Sequence, residues 1–129
     1  MPPTTTDFSL AQIGQISIPV RDVGRAVRFY RDTLGMRFLF EVSGLAFFDC
    51  GGVRLMLSVP ESPEFDHPAS VVYYRVDNIA AAFDTLSSRG VEFEREPHLI
   101  GETPTHEIWM AFFRDPERNV LAIMAEVPR

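Results

Sequence analysis

The sequence predicts an α+β domain of two βαβββ modules, which form one curved mixed sheet, a cup, with the helices on its outer face. Three observations predict this fold class. Residues 13–35 carry a strand–turn–helix–glycine pattern, residues 72–90 carry a second copy of it, and short strands follow each copy. Two copies of one pattern in a chain of 129 residues indicate an internal repeat, and such a repeat decides the fold.

The first copy opens with an alternating strand. Ile16, Ile18 and Val20 alternate with polar residues or proline, which is the period of a half-buried strand. Asp22 supplies a short side-chain acceptor where a helix can start, and Gly35 stands where a helix would stop. Between them an apolar stripe recurs at helical spacing, which predicts one buried helix face. Its members are Val23, Ala26, Val27, Tyr30 and Leu34.

The second copy begins with a strand over residues 72–76, and Asp77 falls at the following turn. Gly90 ends the second helix. The distance from Asp22 to Gly35 and the distance from Asp77 to Gly90 are both thirteen positions. Equal spacing predicts that the two aspartates are equivalent turn and helix-capping residues. The helical stripe consists of Ile79, Ala82, Phe83 and Leu86.

The remaining strands follow from alternation and turn signals. In the first module they are predicted over residues 37–42, 45–49 and 53–59. In the second module they are predicted over residues 92–96, 107–114 and 120–125, with a long loop over residues 97–105. The Gly51-Gly52 pair and the segment Asp115–Asn119 are turn signals.

The organisation predicted from these elements is a loose tail over residues 1–7 and a single domain over residues 8–129. Module one covers about residues 13–59 and module two about residues 70–126. Residues 60–68 contain three prolines, which lack a backbone donor and force extended neighbours, so this stretch is predicted to be a linker.

Composition narrows the function classes. Apolar residues make up 46% of the chain, which is typical of a globular domain, and no apolar run is long enough to span a bilayer. The formal net charge of −6 disfavours nucleic acid as a partner. Cys50 is the only cysteine, so an intrachain disulfide is excluded, and a cytoplasmic protein without membrane partners is predicted.

The order of motifs resembles one known family. The first copy reads as a strand with Val-x-Asp, a helix with Phe-Tyr and a Leu-Gly stop, and the second module closes with Asp-Pro-x-x-Asn before its last strand. This order is similar to that of the glyoxalase I, bleomycin-resistance and extradiol-dioxygenase proteins, the vicinal oxygen chelate superfamily. The matching residues are Val20, Asp22, Phe29, Tyr30, Leu34, Gly35, Asp115, Pro116 and Asn119.

The resemblance implies four positions for the divalent metal that many members hold in the cup. They map to Gln15, Met56, Val71 and Ala122. Hard cations take oxygen ligands and borderline ones take imidazole, carboxylate or thiolate, so three of the four positions are unsuited to a metal. We therefore expect no metal and no other cofactor.

An alternative is a metal site with relocated ligands. His98, His106 and Glu107 lie in or beside the predicted loop of the second module. If they pointed into the cup, a metal-dependent lyase or isomerase, similar to lactoylglutathione lyase, or a dioxygenase would be possible. The sequence identifies no catalytic residue by itself.

Side-chain parity predicts a mostly apolar ligand site in the cup. Two arginines on this face indicate recognition of a carboxylate or phosphate. The alternative, a place at the rim or at a dimer seam with acidic partners, stays open and is the simpler interpretation. Trp109 and Phe113 are either part of the cup or part of the core, because the register of their strand is open. The predicted ligand-binding residues are Gln15, Ser17, Arg54, Met56, Tyr73, Arg75, Trp109 and Ala122.

Three functions remain open at this point. One is a metal-free protein, enzyme or binder, that takes a small organic molecule into the cup, including drug sequestration as in the bleomycin-resistance proteins. Another is the metal-dependent enzyme with relocated ligands. The last is a structural or regulatory module that binds a protein partner. The resemblance implies a homodimer.

Overall fold

The computed structural model describes Phe8 and residues 10–129, so the predicted tail over residues 1–7 lies outside the described residues. The first module consists of β1 (Gln15–Pro19), α1 (Val23–Arg28), β2 (Arg37–Val42), β3 (Leu45–Cys50) and β4 (Val53–Ser58). The second module consists of β5 (Val72–Arg75), α2 (Ile79–Ser88), β6 (His98–Glu102), β7 (His106–Arg114) and β8 (Val120–Pro128). The linker contains one short 3₁₀ turn, Pro63–Phe65.

Each module forms its own four-stranded mixed sheet. The strand orders are β1-β4-β3-β2 and β5-β8-β7-β6, and in each sheet the first strand pairs in parallel with the last while the other pairs are antiparallel. The predicted fold class, α+β with two βαβββ modules, is confirmed. One detail differs, since backbone hydrogen bonding divides the predicted single sheet into two, with β1 and β5 as edge strands.

One hydrophobic core joins the two modules. Each sheet turns one face toward the helices, and the apolar side chains of those two faces pack in a single cluster with α1 and α2. Burial of this surface is the main contribution to stability that the fold offers. The largest fully buried side chains are Tyr30, Phe48, Phe113, Ile18, Leu57, Leu121 and Val20. Within the described residues, neither helix has the length and hydropathy needed to cross a bilayer.

The helix of the first module ends in a π-helical turn, Phe29–Thr33. The backbone N–H of Leu34 donates to the carbonyl of Phe29 at 3.0 Å, five residues back instead of four. Gly35 follows with φ of +73°, a left-handed conformation that glycine adopts at little cost, and it stops the helix as predicted.

The predicted capping residue of the second helix is wrong. Asp22 caps α1 as expected, since its carboxylate accepts from the N–H of Arg25 at 3.0 Å. In α2 the cap is Asn78, whose side chain accepts from the N–H of Ala81 at 3.0 Å, and not Asp77. The first module therefore holds one more residue between cap and glycine than the second, and the π-helical turn accommodates it.

The predicted strand over residues 92–96 is also wrong. Only Phe93 pairs, through an isolated bridge to Phe113, and its ring packs on Phe83 with centroids 4.6 Å apart. The alternation there reflects one half-buried aromatic and not a ladder. The edge strand forms instead inside the predicted loop, as β6, with an irregularity in its pairing between Leu99 and Gly101. Glycine within a strand often marks such a bulge.

Candidate functional site: the outer faces of the two sheets

The outer face of a sheet is defined here as the face turned away from the helices and the shared core. On the first module it is lined by polar and aromatic side chains. Register places Gln15 beside Arg54 and Ser17 beside Met56. Arg54 Nε donates to Gln15 Oε1 at 2.9 Å, and Gln15 Nε2 lies 3.6 Å from Met56 Sδ. The Arg54 guanidinium carbon stands 5.0 Å from the ring centroid of Phe47.

The outer face of the second module is more apolar. Tyr73 and Phe112 both lie opposite Ala122 in the register, and their rings meet edge-on with centroids 6.0 Å apart. Ala122 is fully buried, at 0% exposure. A charged pair at this face joins Arg75 and Glu126, with Nη2 and Oε1 3.5 Å apart.

Seven of the eight predicted ligand-binding residues lie on the outer faces, but Trp109 does not. It shares the side of β7 that faces the helices, where it lines a cavity of about 510 Å³ with Phe83. Its Nε1 donates to Glu107 Oε1 at 3.2 Å. Phe113 is a core residue, at 1% exposure. Placing Trp109 in the cup was wrong, and of the two positions left open for Phe113 the structure selects the core. Both sides of β7 are apolar, so alternation does not indicate which side faces the helices.

Two aromatics that the sequence reasoning missed take their place. Phe47 lies opposite Met56 in the first module, and Phe112 lies opposite Ala122 in the second. These are equivalent positions of the repeat, since each faces the strand that pairs in parallel with the first strand of its module. An alignment of the two modules, strand by strand, would have placed both phenylalanines at this equivalent position.

The residues at the family's metal positions do not fit a divalent ion. Gln15 and Met56 contact each other, and a thioether is a soft donor. Ala122 has no donor and is covered, and the Val71 side chain has none either. Across Phe8 and residues 10–129, no group of three or more His, Cys, Asp or Glu side chains is arranged to hold a metal ion.

The relocated ligand set does not converge. Register places His98 and His106 on the outer side of the second sheet, where the His98 ring lies 6.5 Å from that of Phe112. Glu107 points to the opposite side, toward Trp109. Because one of the three groups lies across the sheet from the others, the set that this alternative requires is absent from the described part of the chain.

A buried hydrogen-bond network fixes the two modules relative to each other. The Tyr30 hydroxyl donates to Asp115 Oδ2 at 2.8 Å, and Asn119 Nδ2 donates to the same oxygen at 2.9 Å and to the Pro19 carbonyl at 3.1 Å. Burial, followed by the charge of Asp115, raises the pKa of Tyr30 well above its ordinary value, so the phenol stays a neutral donor. The Asp-Pro-x-x-Asn motif thus joins the modules.

Glu117 adds a second link at the same junction. Its Oε2 accepts from the backbone N–H of Asp22 at 2.8 Å and from Arg25 Nη2 at 3.1 Å. Burial alone would raise the pKa of Glu117, but hydrogen bonds from the backbone of Asp22 and Arg21 and from the Arg25 side chain outweigh it. They hold the pKa of this carboxyl below its ordinary value.

Both outer faces carry exposed apolar side chains in the single chain. Phe40 is 44% exposed and Tyr73 is 45% exposed. Open depressions lie on both sides of the sheets: one at Trp109 and one of about 330 Å³ between α2 and the segment around Leu34 on the helix side, and one of about 240 Å³ among Arg75, His106 and Glu126 on the outer side of the second module. One chain therefore presents two open half-sites.

Comparison with known proteins agrees with this fold. The family model of the glyoxalase/bleomycin resistance protein/dioxygenase superfamily matches residues 12–123. The chain is 28% identical over 123 residues to the uncharacterized protein YraH of Bacillus subtilis strain 168, covering 84% of this chain and 94% of the relative.

Solved structures show the same architecture. TnmS3, an antibiotic binding protein from Streptomyces sp. CB03234, superimposes with a TM-score of 0.70 at 23% identity and covers 92% of this chain and 98% of its own. Lactoylglutathione lyase from Agrobacterium tumefaciens superimposes with a TM-score of 0.72 at 20% identity, covering 89% and 93%. The chain belongs to the glyoxalase/bleomycin resistance protein/dioxygenase superfamily.

Proposed function

We propose that this protein binds a small organic molecule between the outer faces of its sheets and does so without a divalent metal. The observation that carries this is the donor set at the four metal positions, where a Gln15–Met56 contact and the apolar Val71 and Ala122 replace ligating groups. Around them stand aromatic side chains and a few polar groups, the usual lining of a small-molecule site.

The pocket is completed by a second copy of the chain in this proposal. Each outer face of one chain is open. Covering exposed apolar side chains such as Phe40 and Tyr73 with a second copy would stabilise the dimer by removing apolar surface from water. The edges of β1 and β5 each pair on one side only, so they are available at the seam between copies. A homodimer with the first-module face of one chain opposite the second-module face of the other satisfies both features.

A binding role is supported by the chemistry of the site more than by its relatives. TnmS3 is described as an antibiotic binding protein, and a comparable sequestering role for this chain requires only a shaped apolar pocket. Lactoylglutathione lyase shares the fold, but we do not propose its activity here because the donor set does not fit a metal.

Blocking the half-site of the first module tests the proposal. Ser17 is exposed on the outer face, so Ser17→Trp fills the space with an indole, while Ser87→Trp puts the same side chain on the exposed surface of α2 as a matched control. A fragment library is screened by ligand-observed NMR, and sedimentation reports the oligomeric state of each variant. We expect hits that bind Ser17→Trp at least about tenfold more weakly than wild type and Ser87→Trp.

Absence of any binding fragment would overturn the proposal. Hits that bind Ser17→Trp as tightly as wild type would place the ligand elsewhere and contradict it equally. A monomeric wild-type protein that still binds its hits would refute the shared pocket alone.

A further inference from the structure

We propose that the ligand is a planar, aromatic carboxylate and that Arg54 recognises its anionic group. This inference rests on the proposed function, because it names the class of molecule that the outer-face pocket takes. The inference goes beyond the proposed function because it assigns ligand recognition to one of the two arginines and a negative charge to the ligand.

The guanidinium of Arg54 is held in place with its outer end open. Its Nε donates to Gln15 Oε1 at 2.9 Å, which leaves both Nη groups for a ligand. Two Nη groups in one plane form a fork whose spacing matches the two oxygens of a carboxylate, and such bidentate, charge-assisted bonds are strong and directional.

Arg54 is not neutralised by a carboxylate of the described residues. The six ion pairs there engage other arginines, namely Arg21, Arg25, Arg31, Arg75, Arg114 and Arg129. Asp49 is the register partner of Arg54, but its Oδ1 accepts from the backbone N–H of Gly52 at 3.3 Å. The contrast with Arg75 is direct, since that arginine faces Glu126 across 3.5 Å.

An aromatic platform lies beside the open guanidinium. Arg54 stacks on Phe47 at 5.0 Å, and the Phe47 and Phe40 rings follow with centroids 4.6 Å apart. Phe47 is 8% exposed and Phe40 is 44% exposed, so the outer ring is available to contact a ligand. A molecule whose carboxylate meets Arg54 therefore extends a flat apolar body over Phe40.

A carboxylate fits better than a phosphate. A single open guanidinium balances one negative charge, whereas a phosphate monoester carries a charge of about −1.5 to −2 at pH 7. The chain carries a net charge of −6, which weakens attraction to a doubly charged anion.

Calorimetry with 2-naphthoate and 2-naphthamide tests the inference, because the two probes share a ring system and differ in charge. We expect wild type to bind naphthoate about tenfold more tightly than naphthamide. Arg54→Gln should remove this preference, weakening naphthoate binding about tenfold relative to naphthamide binding by the same variant. Arg28→Gln, an exposed position on α1, makes the same change in net charge and should keep the preference.

The outcomes separate this inference from the function beneath it. Equal binding of both probes, or a preference that survives Arg54→Gln, overturns the anion recognition. If in that case Ser17→Trp still blocks both probes, the proposed pocket stands. If wild type binds neither probe and no library fragment, the pocket and the inference fall together.

Discussion

The turn between β3 and β4 and the turn between β7 and β8 occupy equivalent places in the two modules, yet only the second ties the modules together. Asp115 in the second turn is 4% exposed and accepts from Tyr30, from its own turn and from Asn119. At the first turn, Asp49, near the end of β3, accepts one bond, from the N–H of Gly52 at 3.3 Å. One copy of the repeat has become a structural joint and the other a free hairpin.

The helices differ in a matching way. The first helix carries the π-helical turn, and Tyr30 lies in that turn with its hydroxyl on Asp115. The helix of the second module carries no tyrosine; the buried hydroxyl of that module belongs to Tyr74 on strand β5 and has no hydrogen-bond partner among the described atoms. The extra residue of the first helix thus coincides with the residue that reaches the other module. Specialisation of the repeat lies in these contacts, while the sheets keep the same topology.

Removing the Asp115 carboxylate should have the largest effect on the free energy of unfolding. Asp115→Ala deletes a buried acceptor and leaves the Tyr30 hydroxyl, two backbone N–H groups and the Asn119 amide without it, so we expect a loss of about 3–5 kcal/mol in the free energy of unfolding. Asp49→Ala in the equivalent turn should cost less than about 0.5 kcal/mol. Urea unfolding measures both. Similar losses in the two variants would show that the turns are not specialised.

The two tyrosines offer an internal comparison of intermediate size. Tyr30→Phe removes the donor to Asp115 and should cost about 1–3 kcal/mol, because a buried carboxylate loses a partner. Tyr74→Phe removes an unpaired buried hydroxyl and should leave stability unchanged or slightly higher. Thermal and urea unfolding of both variants check this pair. A Tyr74→Phe variant as destabilised as Tyr30→Phe would point to an unseen partner at Tyr74.

The smallest of the three effects concerns Glu117 and depends on pH. Its side chain is 8% exposed, and its pKa lies below the ordinary value of 4.5, so ionised Glu117 stabilises the fold above that value and the contribution is lost as pH falls through the folded pKa. Glu117→Gln should cost about 1–2 kcal/mol near pH 7. The difference from wild type should shrink as pH falls below the ordinary value of 4.5 and through the lower folded pKa. A difference that stays constant across that range would contradict the link.

The comparison also shows what the sequence predicts well. The sequence predicts the first strand, the Asp22 cap and the Gly35 stop correctly. The alternation of apolar residues, the capping residue and the glycine all favour the same local structure there. The placement of Gln15 and Arg54 on one face followed from clear alternation in their strands.

What the sequence could not give depends on contacts between distant segments. Asp77 and Asn78 are both good caps by residue type, and in the structure the Asn78 side chain accepts from the N–H of Ala81. The parity of Trp109 was hidden because β7 packs apolar side chains on both sides. The ion pair of Arg75 with Glu126, which distinguishes it from Arg54, joins two strands whose side chains meet only after folding.

The absence of a metal-binding donor set is tested most directly by elemental analysis after equilibrium dialysis against Ni²⁺, Zn²⁺ and Mn²⁺. A variant with Met56→Glu, Val71→His and Ala122→Glu provides the comparison, because it puts carboxylate and imidazole groups at the three family positions that lack a suitable donor. We predict that wild type retains far less than one ion per chain and that the variant, where it folds, retains more. One tightly held divalent ion per wild-type chain would contradict the account.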